Sequence, residues 1–318
     1  MGWRAAFIVA LGAVLSACLP AAGGQAAPTE PSTQLQVVAS FSILADFAGQ
    51  VGRDDVTVLM LVGPGLETHT FEALPSDSVA LAGADVILGI GLGFETWLPE
   101  LVQAAGVEER LVEVGEALPE EELLRIAEEE EPDPSQGEER GVFDPHVWQD
   151  PLRARALVRA IAAALAEADP EQAADYHARA EAYVEELEAL DSWIVDRLAD
   201  VPAEQRRLVT THDALGYFAD RYGFTIVGSA FGLSGETASP SAQALAELVD
   251  SLRAHPVPAL FGAFGESNQI LNQIADEAGI GQAIPLYADS LGPAGSEGDT
   301  YLSMMRYNTE AIAAGLAP

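Results

Sequence analysis

Short apolar runs rich in β-branched residues alternate along this chain with stretches of helical periodicity, the pattern of βαβ units. In the first half these runs predict strands at 36–41, 56–62, 84–90 and 110–114, with helices at 43–51, 76–82 and 95–105 between them. The second half repeats the arrangement. Strands are expected at 207–211, 224–229, 259–263 and 283–287, and helices at 213–222, 241–254, 268–278 and 300–314. The reading is an α/β protein of two four-stranded α/β lobes, spanning residues 34–168 and 201–318.

Between the halves the apolar period changes. Pro151 opens a helix running to residue 168, and Asp169-Pro170 reads as an N-cap followed by a first-turn proline. Tyr176, Ala180, Tyr183, Leu187, Leu190, Ile194 and Leu198 then alternate spacings of four and three, one continuous stripe on an amphipathic helix. A helix over 171–198 would be roughly 40 Å long at about 1.5 Å per residue. The flanks lack the sustained charge code of a coiled coil. A long backbone helix within 169–200, joining the two lobes, is the better reading, with His177 on its solvated side.

Residues 1–18 read as a signal peptide. Arg4 precedes an apolar stretch, 5–15, that is too short to span a bilayer as a helix. It ends in Leu15-Ser16-Ala17-Cys18, similar to the bacterial lipobox, in which cleavage precedes a cysteine that is then lipidated. Cys18 is the only cysteine, so no intrachain disulfide can form. Residues 19–33 are rich in Pro, Ala, Gly and Thr and read as a flexible tether. The mature chain is thus expected on the extracytoplasmic face of the cell membrane, anchored in the lipid bilayer through lipidated Cys18.

Charge excludes one class of partner. The 15 basic residues, all arginine, are set against 50 acidic ones, a formal charge of −35, whereas nucleic-acid binding needs a basic face. The most acidic stretch is 117–141, in which 117–131 reads as a short helix and 131–137 as a turn-rich, solvated loop.

Three of the five histidines, His69, His146 and His212, sit in short segments rich in Pro, Gly, Thr or Asp at the edges of apolar runs. His69 falls after a predicted strand and ahead of a helix capped near Ser76. His212 and Asp289 each follow a predicted strand directly, and His146 precedes the helix opened by Pro151. Open α/β sheets bind ligands beyond the carboxyl ends of their strands. A lone histidine is more often structural than a ligand, but three in matching loops with an aspartate at a fourth reverse that weighting. Neutral imidazoles and a carboxylate are the ligands of a tetrahedral zinc site. Gaps of about seventy residues exclude a zinc finger, whose ligands come in close pairs. With two ligands from each half, the metal is expected in the interlobe cleft. His255, before Pro256, reads as a helix-dipole partner, and Glu266 as an acceptor for backbone donors. Phe94, Trp97 and Trp148 read as packing residues. Gly89, Gly91 and Gly93 lack the spacing of a dinucleotide fingerprint and read as a turn.

These segments resemble the metal-binding solute-binding proteins of zinc and manganese ABC importers, the cluster A-I lipoproteins. The matching pieces are the lipobox at Cys18, Pro64-Gly65 with His69-Thr70-Phe71-Glu72 and Pro75-Ser76-Asp77, and Asp144-Pro145-His146-Val147-Trp148. Further along come Thr211-His212-Asp213-Ala214-Leu215-Gly216-Tyr217-Phe218, Gly265-Glu266-Ser267-Asn268-Gln269 and Ala288-Asp289-Ser290-Leu291-Gly292, all in family order. The resemblance implies two α/β lobes joined by one long helix, and it puts His69, His146, His212 and Asp289 in the four ligand positions. It also implies a monomeric carrier, not an enzyme, that hands its ion to the membrane permease of an ABC transporter.

Manganese-type members tend to place a carboxylate at the third position. His212 there makes three imidazoles and one carboxylate, a set suited to Zn²⁺, although some members with this set also take Mn²⁺. Zinc-type relatives can leave the fourth place, here Asp289, to water. Zinc-uptake members often carry a His-rich loop between the first two ligands, where this chain has its acidic 117–141 segment without histidine. The alternative from another class is a zinc hydrolase, with water at an open coordination place. Its general base would have to be Glu67 or Glu72, and neither lies in a helical His-Glu-x-x-His pattern. A surface adhesin is a third reading, compatible with transport and without a sequence trace of its own.

Overall fold

Val37, Val38, Ala39 and Phe41 are all buried in β1 (Leu35–Phe41), so both faces of this strand are covered, as expected at the centre of a parallel sheet. The computed structural model describes Met1 and residues 34–126, 143–230, 242–254, 256–265 and 268–317, without the side chains of 242–244 and 247. Cys18, the 19–33 tether, residues 127–141 of the acidic segment, His255 and Glu266 lie outside the described residues. Strand β1 pairs in parallel with β2 (Val56–Val62) on one side and β3 (Val86–Gly89) on the other, and β4 (Leu111–Glu113) adds beyond β3. The second sheet repeats this order. Its β5 (Arg207–Thr210) lies between β6 (Thr225–Ser229) and β7 (Phe261–Ala263), with β8 (Ile284–Leu286) outermost and every pairing parallel. In both sheets the strand order reverses beside the central strand, and open α/β sheets bind ligands at such switch points.

The connecting helices are α1 (Ser42–Gly52), α2 (Pro75–Ala82) and α3 (Leu98–Ala105) in the first lobe. In the second they are α6 (Gly216–Tyr222), α7 (Ala242–Ala254) and α8 (Gln269–Ala278). The first lobe ends on α4 (Pro151–Ala168), α5 (Ala173–Leu198) joins the lobes, and the chain closes on α9 (Tyr301–Leu316). Asp150 caps α4 by accepting from the Leu152 N–H at 2.8 Å, with Pro151 at the first position. Asp169 does not cap the next helix. Its carboxylate accepts from the Glu171 N–H within the turn, and α5 begins only at Ala173.

The stripe read from the sequence is buried from Tyr176 to Leu198, while His177 is exposed. Helix α5 packs on α1 of the first lobe, on α9 of the second and on α4. Asp191, the one acid on its buried face, is held by both nitrogens of the Arg221 fork (2.9 and 2.7 Å) and by the Tyr222 hydroxyl (3.0 Å). Further bonds tie first-lobe groups to second-lobe groups. The Tyr301 N–H donates to Asp46, the Tyr301 hydroxyl to the Trp148 carbonyl, and the Leu291 N–H to Ser42 Oγ. One continuous apolar core includes residues of both lobes.

Three expected helices differ from what the structure holds. Among the described residues of 117–131 there is no α-helix. Two 3₁₀ turns, Val114–Ala117 and Glu120–Glu122, flank Pro119, whose missing N–H and restriction on the residue before it stop a helix from running through the segment. Helix α3 starts at Leu98 rather than 95, and α6 at Gly216 rather than 213, because the preceding residues form the turns that build the site.

Candidate metal centre

Each predicted ligand leaves a strand or helix end through a turn with its own hydrogen bonds. His69 lies in the loop after β2, where Glu67 accepts its backbone N–H at 2.8 Å and the Trp97 indole N–H donates to the Thr68 carbonyl at 2.9 Å. His212 follows β5, whose register continues in Thr211 as its N–H donates to the Phe261 carbonyl (3.1 Å). The Ala214 N–H then bonds the His212 carbonyl (3.0 Å), which tightens the turn into α6. Asp289 follows β8, and its preceding carbonyl, on Ala288, accepts from both the Trp148 indole (3.0 Å) and the Gln149 amide (2.8 Å).

His146 is fixed most tightly. Asp144 Oδ1 accepts from its backbone N–H (2.9 Å) and from its ring Nδ1 (2.7 Å), so Nε2 is the nitrogen that faces the cluster. The Tyr217 hydroxyl in turn donates to the Asp144 carbonyl at 2.7 Å. Gly216 sits so close that a Cβ there would stand 2.5 Å from Asp144 Oδ2, which restricts this helix start to glycine. Replacing Asp144 by asparagine removes the charge behind His146 and is expected to weaken metal binding roughly 10–100-fold, measurable by competition with a chromophoric chelator.

All four predicted residues come together. One ligand atom from each of His69, His146, His212 and Asp289 lies within 4.8 Å of every other. The three imidazole centroids form a near-regular triangle with sides of 5.5, 5.7 and 6.0 Å. Donors about 2.0–2.1 Å from a tetrahedral ion are separated by roughly 3.3–3.4 Å, so shifts of about 1 Å per atom would close the cluster around one cation. His146 is 0%, His212 2% and Asp289 6% exposed, so the lobes shut the site off from bulk water.

The donors are also poised chemically. His212 Nε2 lies 2.8 Å from Asp289 Oδ2, and His69 Nε2 lies 3.2 Å from the same oxygen. Three buried atoms of the cluster, His69 Nε2, His146 Nε2 and Asp289 Oδ1, make no hydrogen bond of good geometry among the described residues, only ion-pair contacts of 3.2 and 3.5 Å within the cluster itself. Unpartnered buried polar atoms are rare in native proteins, and three at one point mark a place for a ligand. Burial opposes charge on His146, but Asp289 and Asp144 outweigh it and push the imidazole up to about 10. Burial likewise opposes the Asp289 carboxylate, yet His212 and His146 hold it well below its ordinary range. Without a cation the cluster is therefore an imidazolium–carboxylate pair.

The aromatic residues expected to pack do so around the ligands. Phe94 stands edge-on to His69 (4.6 Å) and near His146 (5.7 Å), and Trp148 lies 5.3 Å from His146. Gly91 and Gly93 form the expected turn with positive φ. Sequence reasoning missed Asp144, Gln149 and Ser290. Asp144 left a signal, an acid two residues ahead of a histidine across one proline. Gln149 had none beyond adjacency to a motif, and Ser290, whose Oγ accepts from the Gly65 N–H at 3.0 Å, had none beyond its place inside one. Glu67 caps the His69 loop and Glu72 is exposed.

Two parallel-sheet lobes on a helical backbone, with three imidazoles and a carboxylate from both lobes meeting between them, match the class of two-lobed metal-binding solute-binding proteins. The chain belongs to the ZnuA family, "zinc-uptake complex component A periplasmic", whose family model matches residues 37–315. It is 34% identical over 304 residues to the manganese-binding lipoprotein MntA of Bacillus subtilis, covering 94% of this chain and 95% of that protein. It is 30% identical over 312 residues to the iron-binding protein YfeA of Yersinia pestis, covering 98% and 96%. The solved structure of the periplasmic zinc-binding protein TroA from Treponema pallidum superposes with a TM-score of 0.81 at 30% identity, covering 90% of this chain and all of that one.

Proposed function

We propose that this protein captures Zn²⁺ between its lobes through His69, His146, His212 and Asp289 and delivers it to the membrane permease of an ABC transporter. The observation that carries this reading is the convergence of His212 with three buried donor atoms that lack a hydrogen bond on a point that one cation would satisfy. Relatives are named for zinc, manganese and iron, so the choice of metal rests on this chain's own donors. Three nitrogens and one carboxylate suit zinc, whereas manganese favours oxygen-rich, higher-coordinate sites. Cys18 is the proposed lipid anchor, residues 19–33 the tether, and 34–168 and 201–318 the two lobes about the linking helix.

Equilibrium dialysis followed by elemental analysis tests the reading. One zinc per chain, retained against a tenfold excess of manganese, is expected; no bound metal, or manganese in preference, would refute it.

The cluster also sets a pH dependence. His146 has a folded pKa of about 10 against an unfolded value of roughly 6.5, so its contribution to metal-free stability is full below about pH 6.5. That contribution is lost as pH rises through about 10. Zinc must displace the same proton, so its affinity moves the opposite way and rises over this window. Thermal unfolding with and without zinc, at about pH 6 and about pH 8, is expected to give the larger zinc-induced shift at the higher pH. Equal shifts would contradict the assignment of His146.

A further inference from the structure

We infer that Glu95 is a positioning residue for the metal centre, acting with Ser40 through the loop that backs His69 and His146. The inference rests on the zinc-capture reading above and extends it to a carboxylate that touches none of the four donors. Glu95 is buried, and an unpaired buried carboxylate is costly, so its partners explain why it is there. Ser40 Oγ donates to Oε1 at 2.6 Å, the Ile90 N–H to the same oxygen at 2.9 Å, and the Gly91 N–H to Oε2 at 3.2 Å.

These bonds anchor a turn whose own closure is a single backbone bond, from the Phe94 N–H to the Gly91 carbonyl at 2.9 Å. Gly91, Leu92 and Gly93 all have positive φ (73°, 53° and 82°), and Leu92 there is strained. Ser40 belongs to β1 and Ile90 directly follows β3, so Glu95 bridges the turn to the two strands at the switch point. What the turn carries gives the carboxylate its consequence. Phe94, the adjacent residue, stands edge-on at 4.6 Å to the His69 ring and 5.7 Å from that of His146. Trp97, two residues on, holds the Thr68 carbonyl at 2.9 Å, one peptide from His69. Loosening Glu95 thus frees the wall behind two imidazoles and the backbone grip on one of them, while every donor atom stays in the chain.

The test compares wild type, Glu95→Gln and Ser40→Ala. Glutamine keeps the volume and one acceptor oxygen but turns an N–H₂ toward either the Ser40 or the Gly91 donor. Ser40→Ala removes a single bond and serves as the second variant should Glu95→Gln fail to fold. Zinc affinity by chelator competition is expected to fall about tenfold in Glu95→Gln and less in Ser40→Ala, at the lower edge of what partners beyond the ligands contribute. The visible bands of bound Co²⁺ are expected to shift, because they report the geometry of the ligand set. In the double variant the two losses should not add, since both act on one hydrogen-bonded network around the residue 95 side chain. Unchanged zinc affinity and Co²⁺ spectra in both variants, with only the metal-free unfolding temperature lowered, would overturn the inference and leave the zinc site standing. A wild-type protein that binds neither Zn²⁺ nor Co²⁺ would overturn both.

Discussion

Replacing His146 by alanine is expected to abolish high-affinity zinc binding and, separately, to destabilise the metal-free protein. The first effect follows from losing a coordinating nitrogen, and it should exceed the roughly 10–100-fold penalty of changing a partner behind a ligand. The second follows from what the imidazolium does in the absence of metal. It sits 2.7 Å from Asp144 and 3.5 Å from Asp289, and its removal leaves the buried Asp144 carboxylate without its imidazolium, while Asp289 keeps His212. Breaking a buried charge pair from one side costs about 3–5 kcal/mol. Calorimetric titration with zinc and urea unfolding of the metal-free protein measure the two effects independently. Loss of both is expected, and an unchanged titration would remove His146 from the site.

Trp148→Ala is the largest expected effect away from the ligands. This fully buried indole packs against Phe41 at 5.1 Å and Phe94 at 4.9 Å, and its N–H holds the Ala288 carbonyl next to Asp289. Truncating a buried tryptophan costs about 3–5 kcal/mol, and here the void opens between the core and the site. Trp148→Phe separates the two roles. It keeps most of the packing, so metal-free stability should fall by only about 1 kcal/mol for the lost hydrogen bond. Zinc affinity should fall only modestly, because Gln149 still grips Ala288. Unfolding and affinity measured on both variants check this, and equal stability losses would show that the hydrogen bond, not the packing, dominates.

The strands were legible because their apolar pattern is regular, even in β2, where Leu59 and Met60 are exposed. Val56–Val62 matches its expectation to the residue, being an all-apolar run but for Thr57, bounded by two aspartates and a glycine. The linking helix was legible for the same reason, its stripe lying on one side for seven turns. What the pattern hid is local hydrogen bonding. Residues 95–97 carry a helical pattern, yet Glu95 turns its carboxylate back onto the Ile90 and Gly91 N–H groups, and α3 starts only after Trp97. Residues 213–215 continue the apolar period of α6, but Ala214 bonds back to His212 and makes a turn that aims the imidazole inward. Strand order was not legible either, since it depends on which crossover packs on which face. The four candidate ligands could be picked from their loops, but most of the support behind them could not. Trp97 and Gln149 act through contacts 29 and 139 residues apart, which no short-range pattern encodes, whereas Asp144 lies two residues from His146 and left the acid-proline-histidine signal noted above.

The central claim is that three imidazoles and one carboxylate, far apart along the chain, hold a single zinc ion. X-ray absorption fine structure on the zinc-loaded protein tests this most directly, because imidazole rings leave a multiple-scattering signature that can be counted. The account predicts one zinc with three imidazole nitrogens and one oxygen at about 2.0–2.1 Å. A shell made mainly of water and carboxylate oxygens, with one imidazole or none, would contradict it.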